Sequence, residues 1–321
     1  MSAPTISVVL PTHNGSRYLD QAVQSVVDQT WGDWELILVD DASTDDTPAK
    51  VDAWAGRDAR IRAIHEENNR GLPAALNEGF RGAAGAFLTW SSDDNWYAPQ
   101  AFGRMLQVFR RQPDVDVVYA GMMAVDEAGN PVGPLPARPP EDLAVCNCVG
   151  GCFLYRRRVA EGLGGYCEEL YLAEDYDFWL RASLQFRLQP LDDLLYYYRH
   201  HSRSLTTRYR RAVSLAAEEA VNRWLQDPRF PGGRLRGRAL EALGLRALIR
   251  GDVAAGRRYL LRAAWHLRRP PWFRRCRSYA VDFLCGRRLG NLVRRLSGRA
   301  ERAATGVDCC DRLEPLEDGP A

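Results

Sequence analysis

Residues 86–95 read Ala86-Phe87-Leu88-Thr89-Trp90-Ser91-Ser92-Asp93-Asp94-Asn95, an apolar run that closes on two adjacent carboxylates. The apolar stretch predicts a buried strand, and the polar stretch marks where it breaks. Two neighbouring carboxylates repel each other, and folding alone does not call for them. They make sense beside a divalent cation, Mg²⁺ or Mn²⁺, which prefers oxygen ligands and often bridges a protein carboxylate to a substrate phosphate. The same arrangement occurs upstream, where Glu35-Leu36-Ile37-Leu38-Val39 closes on Asp40 and Asp41. A third acidic pair, Glu174 and Asp175, stands ahead of an aromatic run with helical spacing.

The segments around these pairs set the fold class. Ile6–Leu10 predicts a first strand, stopped by Pro11 and the polar turn Thr12–Ser16. Leu19, Val23, Val26 and Val27 recur at helical spacing, and Ser43–Pro48 supplies an N-cap and early acidic residues for a second helix. Ile61–His65 reads as a third strand and Leu72–Ala83 as a third helix. Strands alternating with helices predict an α/β protein with a mostly parallel sheet flanked by helices. Ligands of such sheets gather outside the carboxyl ends of the strands. Asp40/Asp41 and Asp93/Asp94 are therefore expected to meet at one crevice.

Beyond the fourth strand the rhythm changes. Val115–Tyr119 predicts a short strand, and Met122–Asp126 a hairpin arm returning at Pro131-Val132. A Pro-rich loop then leads to an apolar stretch at Gly150–Tyr155, a helix at Glu174–Leu184 and an alternating strand at Leu194–Tyr198. After about residue 205 the periodicity is helical over Ala212–Leu225, Leu235–Ile249, Val253–Leu267 and Tyr279–Leu296. The tail from Ala303 is expected to be disordered.

Composition bounds the function. A hydrophobic fraction of 46% and nine Trp fit a folded globular chain. The net charge of +2 conceals an acidic region, −11 over residues 1–204, and a basic region, +13 over residues 205–321. The basic charge there is all Arg, and from residue 268 it interleaves with Trp272, Phe273, Tyr279 and Phe283. That mixture suits an interfacial helix on an anionic membrane, a nucleic acid, or a basic face packed on the acidic region. No helix-turn-helix recognition pattern accompanies it, so nucleic acid is not expected. The eight cysteines show no paired metal spacing, and Cys146-x-Cys148-x₃-Cys152 is read as buried or idle thiols rather than zinc ligands. No leader and no membrane-spanning run are evident, so the expected location is cytoplasmic, with the basic region at the inner face of the cell membrane. Pro11-Thr12-His13-Asn14-Gly15 replaces the G-x-G-x-x-G turn of dehydrogenases, and a Walker loop is absent, which disfavours nicotinamide and flavin cofactors.

Six blocks, ISVVLPTHN, WELILVDDASTDDT, NNRGLPAALNEGF, GAFLTWSSDDNWYAP, AEDYDFWLRA and YYRHHSRSLT, occur in an order that resembles the family 2 glycosyltransferases. The resemblance covers roughly residues 5–207 and implies a GT-A fold. It implies inverting transfer of a sugar from a nucleotide-diphosphate donor, UDP- or dTDP-sugar favoured, to a hydroxyl of a glycan or lipid-linked acceptor, as in polysaccharide and cell-envelope biosynthesis. By the same resemblance Asp41 receives the nucleobase, with Asp40 close behind, and Pro11, Thr12 and Asn14 line the base or ribose pocket. Arg70 lies near the nucleotide, Asp93 contacts the ribose or assists the metal, and Asp94 ligates Mg²⁺ or Mn²⁺. Asp175 is the general base, with Glu174 the alternative, and His201 contacts the pyrophosphate or metal, His200 being an extra histidine beside it. Trp90 and Trp96 flank the metal loop, Trp90 being the better core candidate. The implied organisation is a catalytic domain over 1–207, in which residues 1–97 bind the nucleotide sugar and residues 98–207 the acceptor. A basic helical region follows over 208–302, then a tail over 303–321. A nucleotidyltransferase is the rival enzyme class, but PTHNGSRY lacks the Gly-rich basic phosphate loop such enzymes carry after strand one.

Overall fold

The computed structural model describes residues 4–267. Their compact first unit, Met1–Phe230, is built on one nine-stranded sheet. Strands β1 (Ile6–Thr12), β2 (Trp34–Asp40), β3 (Ile61–His65) and β4 (Phe87–Trp90) are parallel in the order β3-β2-β1-β4. Helices α1 (Leu19–Val27), α2 (Thr47–Arg57) and α3 (Leu72–Arg81) connect them. Side chains alternate across each strand. Ile6, Val8, Leu10, Leu36 and Leu38 join the core under Leu19, Val23 and Val26 of α1, with Val51 of α2. On the other face α3 lies so close that a Cβ on Gly79 would fall 2.5 Å from Val9 and 3.1 Å from Val39.

β1 runs two residues past its expected end and takes in Pro11. The reason lies in the pairing. β4 pairs with β1 only as far as Val9↔Trp90, so Pro11 has a neighbouring strand on one side alone, opposite Val39. A missing N–H costs little at such a position.

The sheet continues with β5 (Trp96–Tyr97), helix α4 (Ala101–Arg111), β6 (Val117–Val125), β7 (Pro131–Leu135), β8 (Phe153–Arg156), α5 (Arg157–Leu163), α6 (Glu174–Ala182) and β9 (Leu188–Arg199). Its order past β4 is β8-β6-β9-β5, with β7 on β6. The expected break between Tyr119 and Met122 does not occur, and β6 is a single nine-residue strand. Gly121 carries it through, because a Cβ there would lie 2.8 Å from Leu194 and 3.1 Å from the Leu135 carbonyl. The hairpin forms as predicted, with Met122 opposite Leu135. β9 is longer than the alternating Leu194–Tyr198 signal, because it follows β6 through a register shift at Gly121.

α6 is pinned by aromatics, with Trp179 edge-on to Phe153 at 4.6 Å and Phe178 stacked on Tyr166 at 4.5 Å. The short helix α7 (Leu205–Arg208) leads to α8 (Arg210–Gln226), which packs on α6 and also belongs to the first unit.

The second unit, Pro231–Ala321, is described over residues 231–267 as helices α9 (Gly233–Ile249) and α10 (Val253–Leu267). They form an antiparallel hairpin whose close approach depends on small residues. A Cβ on Gly244 would sit 2.7 Å from Leu260, and one on Gly256 2.6 Å from Leu248. Among the described residues no helix is long and apolar enough to cross a membrane. The expected helix Tyr279–Leu296, the Arg-aromatic stretch from residue 268 and the tail lie outside the described residues, as do Cys276, Cys285, Cys309 and Cys310.

Candidate active site

Sheet register brings the two acidic doublets together. Thr12 ends β1 opposite Asp40 at the end of β2, and the Asp41 N–H donates to the Thr12 carbonyl at 2.9 Å. From the other side the Thr12 hydroxyl donates to Asp93 Oδ2 at 2.6 Å. A chain of direct contacts therefore runs from Asp41 through Thr12 to Asp93. Gly15 belongs to it too, since a Cβ there would fall 1.8 Å from Asp93 Oδ2.

The loop holding Asp93 and Asp94 is clamped from β9. Trp96 pairs with Tyr197, and their rings stack at 4.9 Å. The next residue but one, Arg199, is 4% exposed. Its backbone N–H donates to Asn95 Oδ1 at 2.8 Å, and its guanidinium donates to the carbonyls of Asp94 at 3.0 Å and Glu127 at 2.7 Å. The rings of Tyr18 and Trp96 flank it at 4.4 and 4.8 Å. The chain then turns so that His201 Nε2 meets Asp94 Oδ2 at 2.9 Å. His201 faces inward with its side chain 8% exposed, while His200 lies outside against Tyr198. Trp90 is a core residue, edge-on to Phe153.

Two atoms of this pair stand out. Asp94 Oδ1 and His201 Nδ1 are buried and have no hydrogen-bond partner. Leaving a buried polar atom unpaired costs about 1–3 kcal/mol, and the carboxylate oxygen of Asp94 suits a hard divalent cation. Among the described residues no group of three or more His, Cys, Asp and Glu is placed to hold a metal. A cation at Asp94 would thus take most of its ligands from phosphate oxygens and water, the usual pattern for Mg²⁺. Burial, then the Asp94 carboxylate beside it, pushes the Asp93 carboxyl up to about 7 despite the Thr12 hydroxyl.

The other predicted nucleotide residues do more structural work than their types suggested. Asp41 is 4% exposed, and its two oxygens accept the backbone N–H groups of Arg70 and Gly71 at 2.8 Å each. One lone pair remains on each oxygen for an incoming donor. Arg70 meets the site through its backbone, while its guanidinium lies 3.8 Å from both Glu66 and Glu168. Asp40 accepts from the Ser43 N–H and faces His65. Asn14, at φ 55°, accepts the Thr44 N–H at 2.8 Å and so ties the β1–α1 turn to the β2–α2 turn. Pro11 is buried in β1.

The third doublet reaches the same edge by topology. β8 is antiparallel to β4, with Leu88 opposite Tyr155, so the loop preceding Phe153 emerges beyond the carboxyl end of β4. Asn147 in that loop donates to Asp175 Oδ2 at 2.7 Å. On the opposite flank Tyr171, just upstream of α6, lies 3.6 Å from where a Gly71 Cβ would be. Leu172 takes φ 73°, an uncommon strained conformation for a bulky residue, two positions before Glu174. Glu174 is 4% exposed with Oε2 unpaired, whereas Asp175 keeps accessible surface. Burial, then the neighbouring Asp175, pushes the Glu174 carboxyl up to about 8, and burial also raises Asp175. Asn147, His13 (Nδ1 2.7 Å from the Asp41 carbonyl) and Tyr171 were missed by the sequence reading. Only His13, inside the first block, carried a usable signal. Among the described residues Cys146, Cys148, Cys152 and Cys167 form no disulfide.

The raised Glu174 value couples stability to pH. In the folded state the carboxyl holds its proton up to about pH 8; unfolded, it loses it near its ordinary value of about 4.3. The folded state therefore binds more protons between these values, and stability falls as pH rises through them. Glu174→Gln, which cannot ionise, is expected to gain on the parent as pH rises, its advantage in melting temperature growing by at least about 2–4 °C between pH 5 and pH 8, the equivalent of about 1 kcal/mol. Melting curves at both pH values test this, and an equal offset at both would refute it.

The chain is similar to known glycosyltransferases. Glycosyl transferase family 2 matches residues 7–164. A glycosyltransferase of Rickettsia felis is 27% identical over 213 residues, 62% of this chain and 35% of that one, so this chain spans about a third of its length. The putative glycosyltransferase EpsE of Bacillus subtilis is 29% identical over 68% of this chain and 81% of its own. Among solved structures, S. aureus TarS 1–349 with UDP-GlcNAc superposes with a TM-score of 0.56 at 19% identity, over 83% of this chain and 93% of that one. The mannosyltransferase PcManGT of Pyrobaculum calidifontis, with GDP-Man and Mn²⁺, gives 0.58 at 18% identity over 91% and 86%. With its sheet order and these relatives, the chain has a GT-A fold and carries a glycosyl transferase family 2 domain over residues 7–164.

Proposed function

We propose that the protein is a metal-assisted inverting glycosyltransferase that moves a sugar from a nucleotide-diphosphate donor, UDP- or dTDP-sugar, to a hydroxyl of a glycan or lipid-linked acceptor. The observation that carries this reading is the Asp94–His201 pair, whose Oδ1 and Nδ1 atoms are buried and unpartnered beside the Asp41–Thr12–Asp93 chain. Asp94, with His201, would hold Mg²⁺ or Mn²⁺. That ion, when bound, neutralises charge on the departing diphosphate.

The remaining roles belong to the chain itself. Asp41 secures the turn at Arg70–Gly71 and keeps lone pairs for the nucleobase, next to Thr12, Asn14 and His13. Asp175 removes the proton of the acceptor hydroxyl as that oxygen attacks the anomeric carbon. The Asn147 amide holds its Oδ2, so that the carboxylate presents one orientation to the acceptor. Glu174, deeper and protonated, supports Asp175 without competing for the acceptor's proton. TarS and PcManGT bind UDP-GlcNAc and GDP-Man, which supports a nucleotide-sugar donor here and leaves its base to measurement.

Melting curves with UDP-, dTDP-, GDP- and CDP-sugars, each with and without Mn²⁺, test the proposal. One uridine or thymidine donor should raise Tm, and more so with Mn²⁺. If no nucleotide sugar moves Tm under either condition, the reading fails.

A further inference from the structure

Leu245, Ile249, Leu261 and Trp265 are 44%, 56%, 56% and 85% exposed. They are four of the ten large hydrophobic side chains so exposed among the described residues, yet α9 and α10 have only 17 and 15 residues. Scattered exposed hydrophobics need no explanation, but clustering does.

The hairpin geometry places them together. Gly244 faces Leu260, and Leu248 faces Gly256. Leu245, Ile249 and Leu261 each lie one residue beyond a position facing the other helix. One residue is about 100° of rotation. In an antiparallel pair, viewed down one axis, that rotation has opposite sense in the two helices and turns both sets of side chains to the same side. Trp265 is one turn on from Leu261 and shares its face. The hairpin thus presents a single apolar face.

Charge selects what covers it. Residues 233–267 hold eight Arg against Glu241 and Asp252. Arg257, Arg258 and Arg262 are exposed on the helix that carries Leu261 and Trp265. A second copy of this chain meeting it through the same face would bring the same positive charge and be repelled. An anionic bilayer offers apolar depth for Trp and Leu and headgroups for Arg, whose long stems reach the charged layer while lying along apolar surface. We propose that the α9–α10 hairpin docks in plane on an anionic membrane surface, with Leu245, Ile249, Leu261 and Trp265 at the acyl boundary and the α10 arginines at the headgroups. The inference stands on this face alone and is independent of the sugar-transfer reading.

Flotation of the full chain with vesicles of phosphatidylcholine, with and without phosphatidylglycerol, tests it. The chain should float with the mixed vesicles and not with pure phosphatidylcholine, and salt should weaken the association. The double substitution Leu261→Ser, Trp265→Ser should lower the partition onto mixed vesicles about tenfold or more, with an unchanged circular dichroism spectrum. Undiminished flotation of the double variant would overturn the proposal, as would failure of the parent to float. So would a parental dimer that the double variant converts to monomer while flotation is unaffected, since a second copy would then cover the face.

Discussion

Asp94→Ala is expected to abolish the Mn²⁺-dependent component of the donor-induced rise in Tm and to lower sugar transfer by about 10²–10³-fold, the usual effect of losing one preorganised charge-stabilising group. Folding should survive the change. Asp94 Oδ1 has no protein partner, and removing the carboxylate relieves its repulsion of Asp93. Against that gain the change leaves the buried His201 Nε2 without its partner, at a cost of about 1–3 kcal/mol, so the Tm of the variant without ligands should stay within about 10 °C of the parental value. Asp94→Asn, which keeps the shape and the contact with His201, should reproduce the loss of metal response. A full Mn²⁺ shift in either variant would show that the cation binds elsewhere.

The second large effect is expected at the base. Asp175→Asn should leave the donor- and metal-induced Tm shift intact and reduce transfer by about 10²–10⁴-fold, the range for general base catalysis. The side chain is nearly isosteric, and the adjacent Tyr176 N–H can still donate to its carbonyl oxygen. The Asn147 contact, an amide donating to a carboxylate oxygen, is the one interaction the change disturbs. Transfer rate and donor-induced shift measured on one preparation separate the two roles. Transfer at the parental rate would remove Asp175 from the chemistry, and loss of the donor shift would make it a binding residue.

The parallel half of the sheet was legible because each of its strands is a continuous apolar run closed by a polar turn, and the intervening helices repeat at their own period. The doublets were legible for a related reason. Asp40/Asp41 and Asp93/Asp94 follow buried strands directly, so alternation alone placed them at carboxyl ends of the sheet. Pro11 misled because a proline ends a strand only where its missing N–H faces a neighbour, and that neighbour, β4, stops at Trp90. β6 misled in the opposite direction. Gly121 looks like a break, but the crowding of Leu194 and Leu135 shows that it is there to admit them.

Residue types were a weaker guide to individual roles. The type of Arg70 points to its guanidinium, and it is the backbone N–H that meets Asp41. Asn14 and Thr12, expected to line the base or ribose pocket, also use their side chains to join turns and loops. Asn147 was invisible, since it lies in an irregular loop with no period to read. Arg199 stood in plain view beside the histidines, but its job of joining β9 to the Asp94 loop depends on contacts with residues 72 and 105 positions away.

Taken alone, the chain's order of apolar and polar residues determined the α/β class and the strand-end place of two acidic doublets, and six ordered blocks carried the family resemblance, because these depend on local period and on covalent neighbours. Which of those groups face one another was set by long-range pairing: Thr12 reaches Asp93 only because β1 lies between β2 and β4, and His201 reaches Asp94 only because β9 pairs with β5. Register between strands is a property of the packed sheet, fixed when buried faces must match, and no single segment carries it.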